Sequence, residues 1–187
     1  KIIPIIIGVI VIVLIAAVSV IFVMKKSNNK AANTTSELDS SEENLAKITI
    51  THYIDAYSAY EIEKILAVTD LKGTYAWEKC TGTEEEKVQQ FVEKYNSVDE
   101  KEVEQYIENF KNEITYLKNL YAGVLDKYNE EISEIGKLEQ VDNVEGLTKI
   151  RALINATYSY KEEKSIKSKD VTFYLYNGKI IAMIEKK

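Results

Sequence analysis

Residues Ile2 to Met24, IIPIIIGVIVIVLIAAVSVIFVM, carry no charged side chain and are closed by Lys25 and Lys26. As a helix this run would rise roughly 34 Å, enough to cross a hydrocarbon core of about 30 Å with modest tilt. The chain is therefore expected to hold one transmembrane anchor over residues 1–26, followed by a polar body that works at a membrane. A cleaved signal peptide would have an apolar core of about 7–15 residues with its small residues after it. Here Ala16, Ala17 and Ser19 lie inside the run, and Val20, Ile21, Phe22 and Val23 follow them. Position 5 is Ile where a pilin-type helix has glutamate, and no Cys follows the run to carry a lipid. The first residue is Lys1 rather than Met, so upstream residues are expected. Lys25, Lys26 and Lys30 alone would favour a cytoplasmic body, because positive charge near a span tends to stay inside. The counterweight lies in those upstream residues.

Residues 27–44, SNNKAANTTSELDSSEEN, have no apolar periodicity and read as a flexible linker. From Ser27 onward, 21 basic residues face 30 acidic ones, a net charge of −9. Such a surface repels nucleic acid and anionic headgroups at long range, and no nucleic-acid partner is expected. One Cys and one His exclude a disulfide framework and a His-rich metal site. Asn33 and Asn155 open N-x-Thr sequons, a short pattern that matters only in a secretory eukaryotic context.

The body, residues 45–187, divides by period. Ile50, Tyr53, Ile54, Tyr57 and Tyr60, then Ile62, Ile65 and Leu66, fall at helical spacing and predict two helices, with Lys72-Gly73 breaking the pattern. Thr74 to Trp77 reads as an aromatic plug around the single Trp. Thr83-Glu84-Glu85-Glu86 fits a capping box opening a helix to about Tyr95, and Ser97 to Glu100 offers the same device again. A long helix from about Glu100 to Tyr128 carries a seam of Val103, Ile107, Phe110, Ile114, Leu117, Tyr121, Val124 and Tyr128. Tyr106 and Leu120 widen that stripe and favour packing on a sheet or neighbouring helices. Beyond it the period becomes two. Residues 132–141 predict a strand bulged at Gly136, with a turn over 142–146, and 148–160 alternate as a half-buried strand. KEEKSIKSK, 161–169, reads as a charged loop. Val171, Phe173 and Leu175 begin a last hairpin through Asn177-Gly178. The expected fold is α+β, with helices on one face of a four-stranded antiparallel sheet.

The phrases Tyr53-Ile54-Asp55-Ala56-Tyr57, Glu61 to Leu66 (EIEKIL) and Tyr75-Ala76-Trp77, followed by the terminal sheet, resemble a known group. They look like the cystatin-like or nuclear-transport-factor-two-like domains of single-span Gram-positive bacterial envelope proteins. The resemblance implies a short cytoplasmic N-terminal part, often a zinc ribbon, and a domain outside the membrane with a cone-shaped pocket. Some members of that superfamily are isomerases or dehydratases with an acid and a Tyr in the pocket, and that pair has no residue-by-residue match here. The helix over 100–128 is longer than the superfamily's usual third helix.

Chemistry-bearing residues are few. His52 and Asp55 lie one helical turn apart and could form an acid-base pair, but no nucleophile accompanies them. Cys80 follows Lys79 and reads as a structural thiol. Glu84 to Glu86 and Glu130-Glu131 read as solvated acidic faces without calcium-loop spacing. No catalytic residue, metal site or cofactor is expected. Thirteen Tyr residues stand out, and the rings offered for a binding groove are Tyr53, Tyr57, Trp77, Tyr158 and Tyr174. The sequence thus predicts a noncatalytic, membrane-anchored binding or sensing domain of the bacterial cell envelope, its partner an envelope protein or a wall polymer. The alternatives are a small-molecule isomerase or dehydratase in the same fold, and a spacer that self-associates through the 103–128 helix.

Overall fold

A computed structural model describes residues 40–122, 127–161 and 163–186. The anchor Ile2 to Met24, most of the linker, Asn33 and Val124 lie outside them. Among the described residues no helix is long and apolar enough to cross a membrane.

Five helices precede four strands. They are α1 (Ser40–Ser58), α2 (Ile62–Leu66), α3 (Leu71–Lys79), α4 (Glu84–Ser97) and α5 (Glu100–Ala122). The strands β1 (Lys127–Gln140), β2 (Leu147–Tyr160), β3 (Glu163–Tyr176) and β4 (Lys179–Glu185) form one antiparallel meander in sequence order. The expected α+β class is the one observed.

Several boundaries differ from expectation for local reasons. Helix α1 starts at Ser40, five residues inside the expected linker, and Lys47 donates to Glu43 at 2.6 Å one turn away. Gly73 does not break a helix; it lies inside α3, whose N-terminus is capped by Asp70 accepting from the Gly73 N–H at 2.9 Å. A Cβ at Gly73 would stand 2.5 Å from Ile181 Cγ2, so the glycine lets α3 lie close on β4. The capping box at α4 forms as expected, with Thr83 and Glu86 exchanging bonds. At α5 the capping side chain is Asp99, not Ser97, and accepts from the Lys101 N–H at 2.9 Å. Tyr128, expected to close the long helix, belongs to β1. The charged stretch 161–169 is not a loop: Lys161 lies in a turn, and Glu163 to Lys169 form the first half of β3, paired residue for residue with β2.

Helices cover both faces of the sheet rather than one. On the first face, Ile50, Tyr53 and Ile54 of α1 and Phe110 and Ile114 of α5 bury against Ile150, Ala152, Val171 and Phe173. On the second, Trp77 of α3 and Phe91 of α4 bury against Leu147, Tyr174 and Ile181. Each fully buried large side chain contributes about 1.5–3 kcal/mol. The reason for two-sided burial is that Val171 to Tyr176 runs VTFYLY, with large apolar side chains on both faces of β3 rather than on one. The seam of α5 is spent inside the domain, where Phe110, Ile114 and Leu117 are buried. Residues 68–70 close the β4 edge: the Ile180 N–H donates to Val68 O and the Asp70 N–H to Ile180 O, both at 3.0 Å.

Candidate functional site

Helix α1 supplies one wall of a cleft on the first face. Tyr53 and Tyr57 are four residues apart and share a helix face; their rings are 5.8 Å apart and nearly parallel, at 7°. The helix closes just beyond them. The Glu61 N–H donates to Ala56 O at 2.9 Å and the Tyr60 N–H to Tyr57 O at 3.0 Å, the paired bonds of a Schellman turn. The residue this turn places in the left-handed region is Tyr60, with φ 53°, where glycine is usual. Its ring packs at 6.2 Å from Tyr121 and 6.4 Å from Tyr128.

The last turn of α5 and the first residues of β1 supply the second wall. Tyr121 stacks on Tyr128 at 5.7 Å and 9°. Tyr128 in turn lies 5.2 Å from Tyr158, its direct neighbour across β1 and β2. Between these rings is a cleft of about 340 Å³ walled by Tyr53, Tyr57, Tyr121, Tyr128 and Tyr158. That is near the lower end of the roughly 300–1,000 Å³ of small-molecule sites. Ile154, Val171 and Met183 add apolar lining.

One part of the cleft is ionic. Glu130 of β1 is buried, and its Oε1 accepts from Tyr128 Oη at 2.6 Å and from Lys169 Nζ. Its backbone N–H donates to Ser58 Oγ at 2.9 Å, tying β1 to the end of α1. Ala156 of β2 stands directly between Glu130 of β1 and Lys167 of β3 in the strand register. Its small side chain lets Lys169 reach across the roughly 10 Å that separates next-nearest strands. Burial opposes the charge on Lys169, but the Glu130 carboxylate beside it outweighs that and holds the ammonium above its ordinary range. Burial, and then the Glu130 charge, push the Tyr128 phenol far up, and burial does the same to Tyr57. Lys167 pairs with Glu185 at 3.2 Å at the more open side. Tyr128 and Lys169 share Oε1 of Glu130, so one carboxylate oxygen holds both neighbours.

Of the five rings expected to form a groove, Tyr53, Tyr57 and Tyr158 meet in this cleft. Trp77 and Tyr174 do not. They pack together at 4.7 Å in the second core, on the other side of the sheet, where Tyr174 Oη donates to Glu84 Oε1. Residues four apart on a helix or two apart on a strand share a face, and Trp77 and Tyr174 satisfy neither relation with the α1 tyrosines. His52 and Asp55 are exposed and line no part of the cleft. Cys80 is buried, its Sγ donating to Ala76 O at 3.3 Å, and burial pushes the thiol up. Among the described residues no group of His, Cys, Asp or Glu is placed to hold a metal ion. Tyr121, Tyr128, Glu130 and Lys169 were not expected. The signal for Lys169 was in the sequence: Ser165, Lys167 and Lys169 recur at period two, which puts them on one face of a strand.

No protein-family model, curated protein or solved structure matches the chain.

Proposed function

We propose that this chain is a noncatalytic binding or sensing domain of the bacterial cell envelope, held to the membrane by Ile2 to Met24 with its α+β body outside. The observation that carries the binding half of this reading is the cleft itself, in which five tyrosines surround a charge-neutral, internally bonded Glu130–Lys169 pair. Both bonds to Glu130 fall on Oε1, which leaves Oε2 as an acceptor for a ligand in the cleft. The uncharged run of residues 2–24 supports the anchor. A long first helix laid on a bulged, sequentially ordered antiparallel sheet supports a cystatin-like or nuclear-transport-factor-two-like assignment. The partner is an envelope protein or a wall polymer.

The test is a photoreactive residue at position 158 of the full chain in native membranes, with Tyr116, 59% exposed on α5, as the control site. The reading expects an adduct with an envelope component at 158 and none at 116. No adduct at 158, or the same adduct at both, would remove it.

One observation favours a second reading, an isomerase-like enzyme: Tyr128 and Glu130 bring a phenol and a carboxylate into one cavity. Turnover of small carbonyl substrates by the full chain, abolished by Glu130→Gln, would establish it in place of the first.

A further inference from the structure

The chemistry of the cleft narrows what it can hold. Its charged groups come as two pairs, Glu130 with Lys169 and Lys167 with Glu185, so the lining carries no net charge. A cationic ligand drawn to the tyrosine faces would meet two ammonium groups, and would have to displace one to reach a carboxylate. An anion drawn to either lysine would meet the carboxylate already bound there. Breaking the sheltered Glu130–Lys169 pair is costly, because it leaves the abandoned partner uncompensated, whereas the half-exposed Lys167–Glu185 pair opposes a charged ligand only through its own neutrality. A hydroxyl group needs no such break. It donates to a carboxylate and accepts from an ammonium, and it does so with both partners still paired. Ser165 adds a further hydroxyl to the same lining.

The remaining surface is aromatic. Tyr121 and Tyr128 stack almost parallel, and Tyr158 lies against Tyr128. These are flat apolar faces that keep polar hydroxyl edges, suited to a ligand with an apolar face and a polar rim. The cleft volume of about 340 Å³ holds one or two small rings rather than a long segment of polymer.

We propose that the Tyr121–Tyr128–Tyr158 cleft recognises an uncharged, polyhydroxylated sugar ring, presented as a unit of a glycan. The ring's C–H face lies on the tyrosines and its hydroxyls bond to the Glu130–Lys169 and Lys167–Glu185 pairs. This inference rests on the reading of the cleft as a binding site and specifies what occupies it.

The test uses three trisaccharide probes of differing charge against the full chain in lipid nanodiscs, followed by calorimetry. They are triacetylchitotriose, which is neutral, its fully deacetylated cationic counterpart, and anionic trigalacturonate. The neutral trimer is expected to bind at least about tenfold more tightly than either charged one. Tyr158→Ala is expected to weaken it by about tenfold or more, while Tyr158→Phe, which keeps the ring, holds affinity within about twofold. The phenylalanine variant separates the ring from its hydroxyl, and an unchanged circular-dichroism melt of Tyr158→Ala separates lost stacking from loss of fold. Tighter binding of a charged trimer would overturn the neutral-sugar assignment and leave the binding reading intact. So would binding of no trimer while a photoreactive group at 158 still captures an envelope component. Absence of both sugar binding and capture would overturn the assignment together with the reading on which it rests.

Discussion

Lys169 on β3 and Glu130 on β1 form an ion pair over Ala156 of the strand between them, with 18% and 4% of their side chains exposed. Three strands are thereby tied at the end of the sheet where α1 stops and the cleft opens. A pair this sheltered is costly to break from one side only, because the remaining charge stays desolvated.

Lys169→Ala is accordingly expected to destabilise the domain by about 3 kcal/mol, read from the urea midpoint, and Glu130→Ala by a similar amount. The double variant Glu130→Gln/Lys169→Met should recover much of that loss, since both charges are then removed. A loss that is simply additive in the double variant would show that the two residues act independently.

The alkaline limb of stability has a definite sign. Burial holds the phenols of Tyr57, Tyr60, Tyr121 and Tyr128 above their ordinary value, and that of Tyr95 is pushed up to about 12. In the unfolded chain these groups ionise near pH 10, so above that pH the native state binds more protons and stability falls as pH rises. The tyrosinate absorbance should therefore rise in two stages. The later stage belongs to Tyr57, Tyr60, Tyr121 and Tyr128 and should appear together with loss of the far-ultraviolet helix signal. A single smooth titration of all thirteen tyrosines near pH 10, with the fold intact, would contradict this burial.

Tyr60 combines a left-handed backbone with a buried hydroxyl that has no hydrogen-bond partner among the described residues. Tyr60→Phe removes only the unsatisfied hydroxyl and should be neutral or stabilise by up to about 1 kcal/mol. Tyr60→Gly relieves a backbone cost of about 1–2 kcal/mol but removes a ring touching Tyr57, Tyr121 and Tyr128. Its net effect should be destabilising. Thermal melts of the two variants moving in the same direction by similar amounts would refute this division between backbone and ring.

Gly73→Ala should destabilise by roughly 1–3 kcal/mol, since its new methyl would meet Ile181 at 2.5 Å between α3 and β4. Ile181→Ala, which removes the obstructing Cγ2, should therefore cost less stability in the Gly73→Ala background than in the wild-type chain. An unchanged melting temperature for Gly73→Ala alone would mean that α3 lies further from the sheet than described.

The parts of this fold that announce themselves in the sequence are those with one local cause. The Thr83–Glu86 capping box, the Asn177-Gly178 hairpin and the alternation along β2 each follow from neighbouring residues. What escapes is set by pairing at a distance. KEEKSIKSK looks like a loop because neither face is apolar, yet from Glu163 it is a strand in which Ser165, Lys167 and Lys169 line an ionic cleft while Lys164, Ile166 and Ser168 are exposed. The same misreading hides the site. With Lys169 in a loop, Glu130 has no partner and passes for a solvated acid, so the half of the cleft made by α1 and β2 was legible while its charged end was not. Trp77 and Tyr174 were grouped with the cleft rings for their chemistry alone, since nothing local tells which face of the sheet they occupy.

Occupancy of the cleft is the central claim, and hydroxyl-radical footprinting of the full chain tests it most directly. Modification of Tyr121 and Tyr158 is compared between native envelopes and protein purified in detergent, with exposed Tyr116 as internal reference. A bound envelope ligand predicts that Tyr121 and Tyr158 are protected in native envelopes and become reactive on purification, while Tyr116 stays unchanged. Equal modification of all three in both preparations would mean that the cleft stands open in its own surroundings, and would contradict the account.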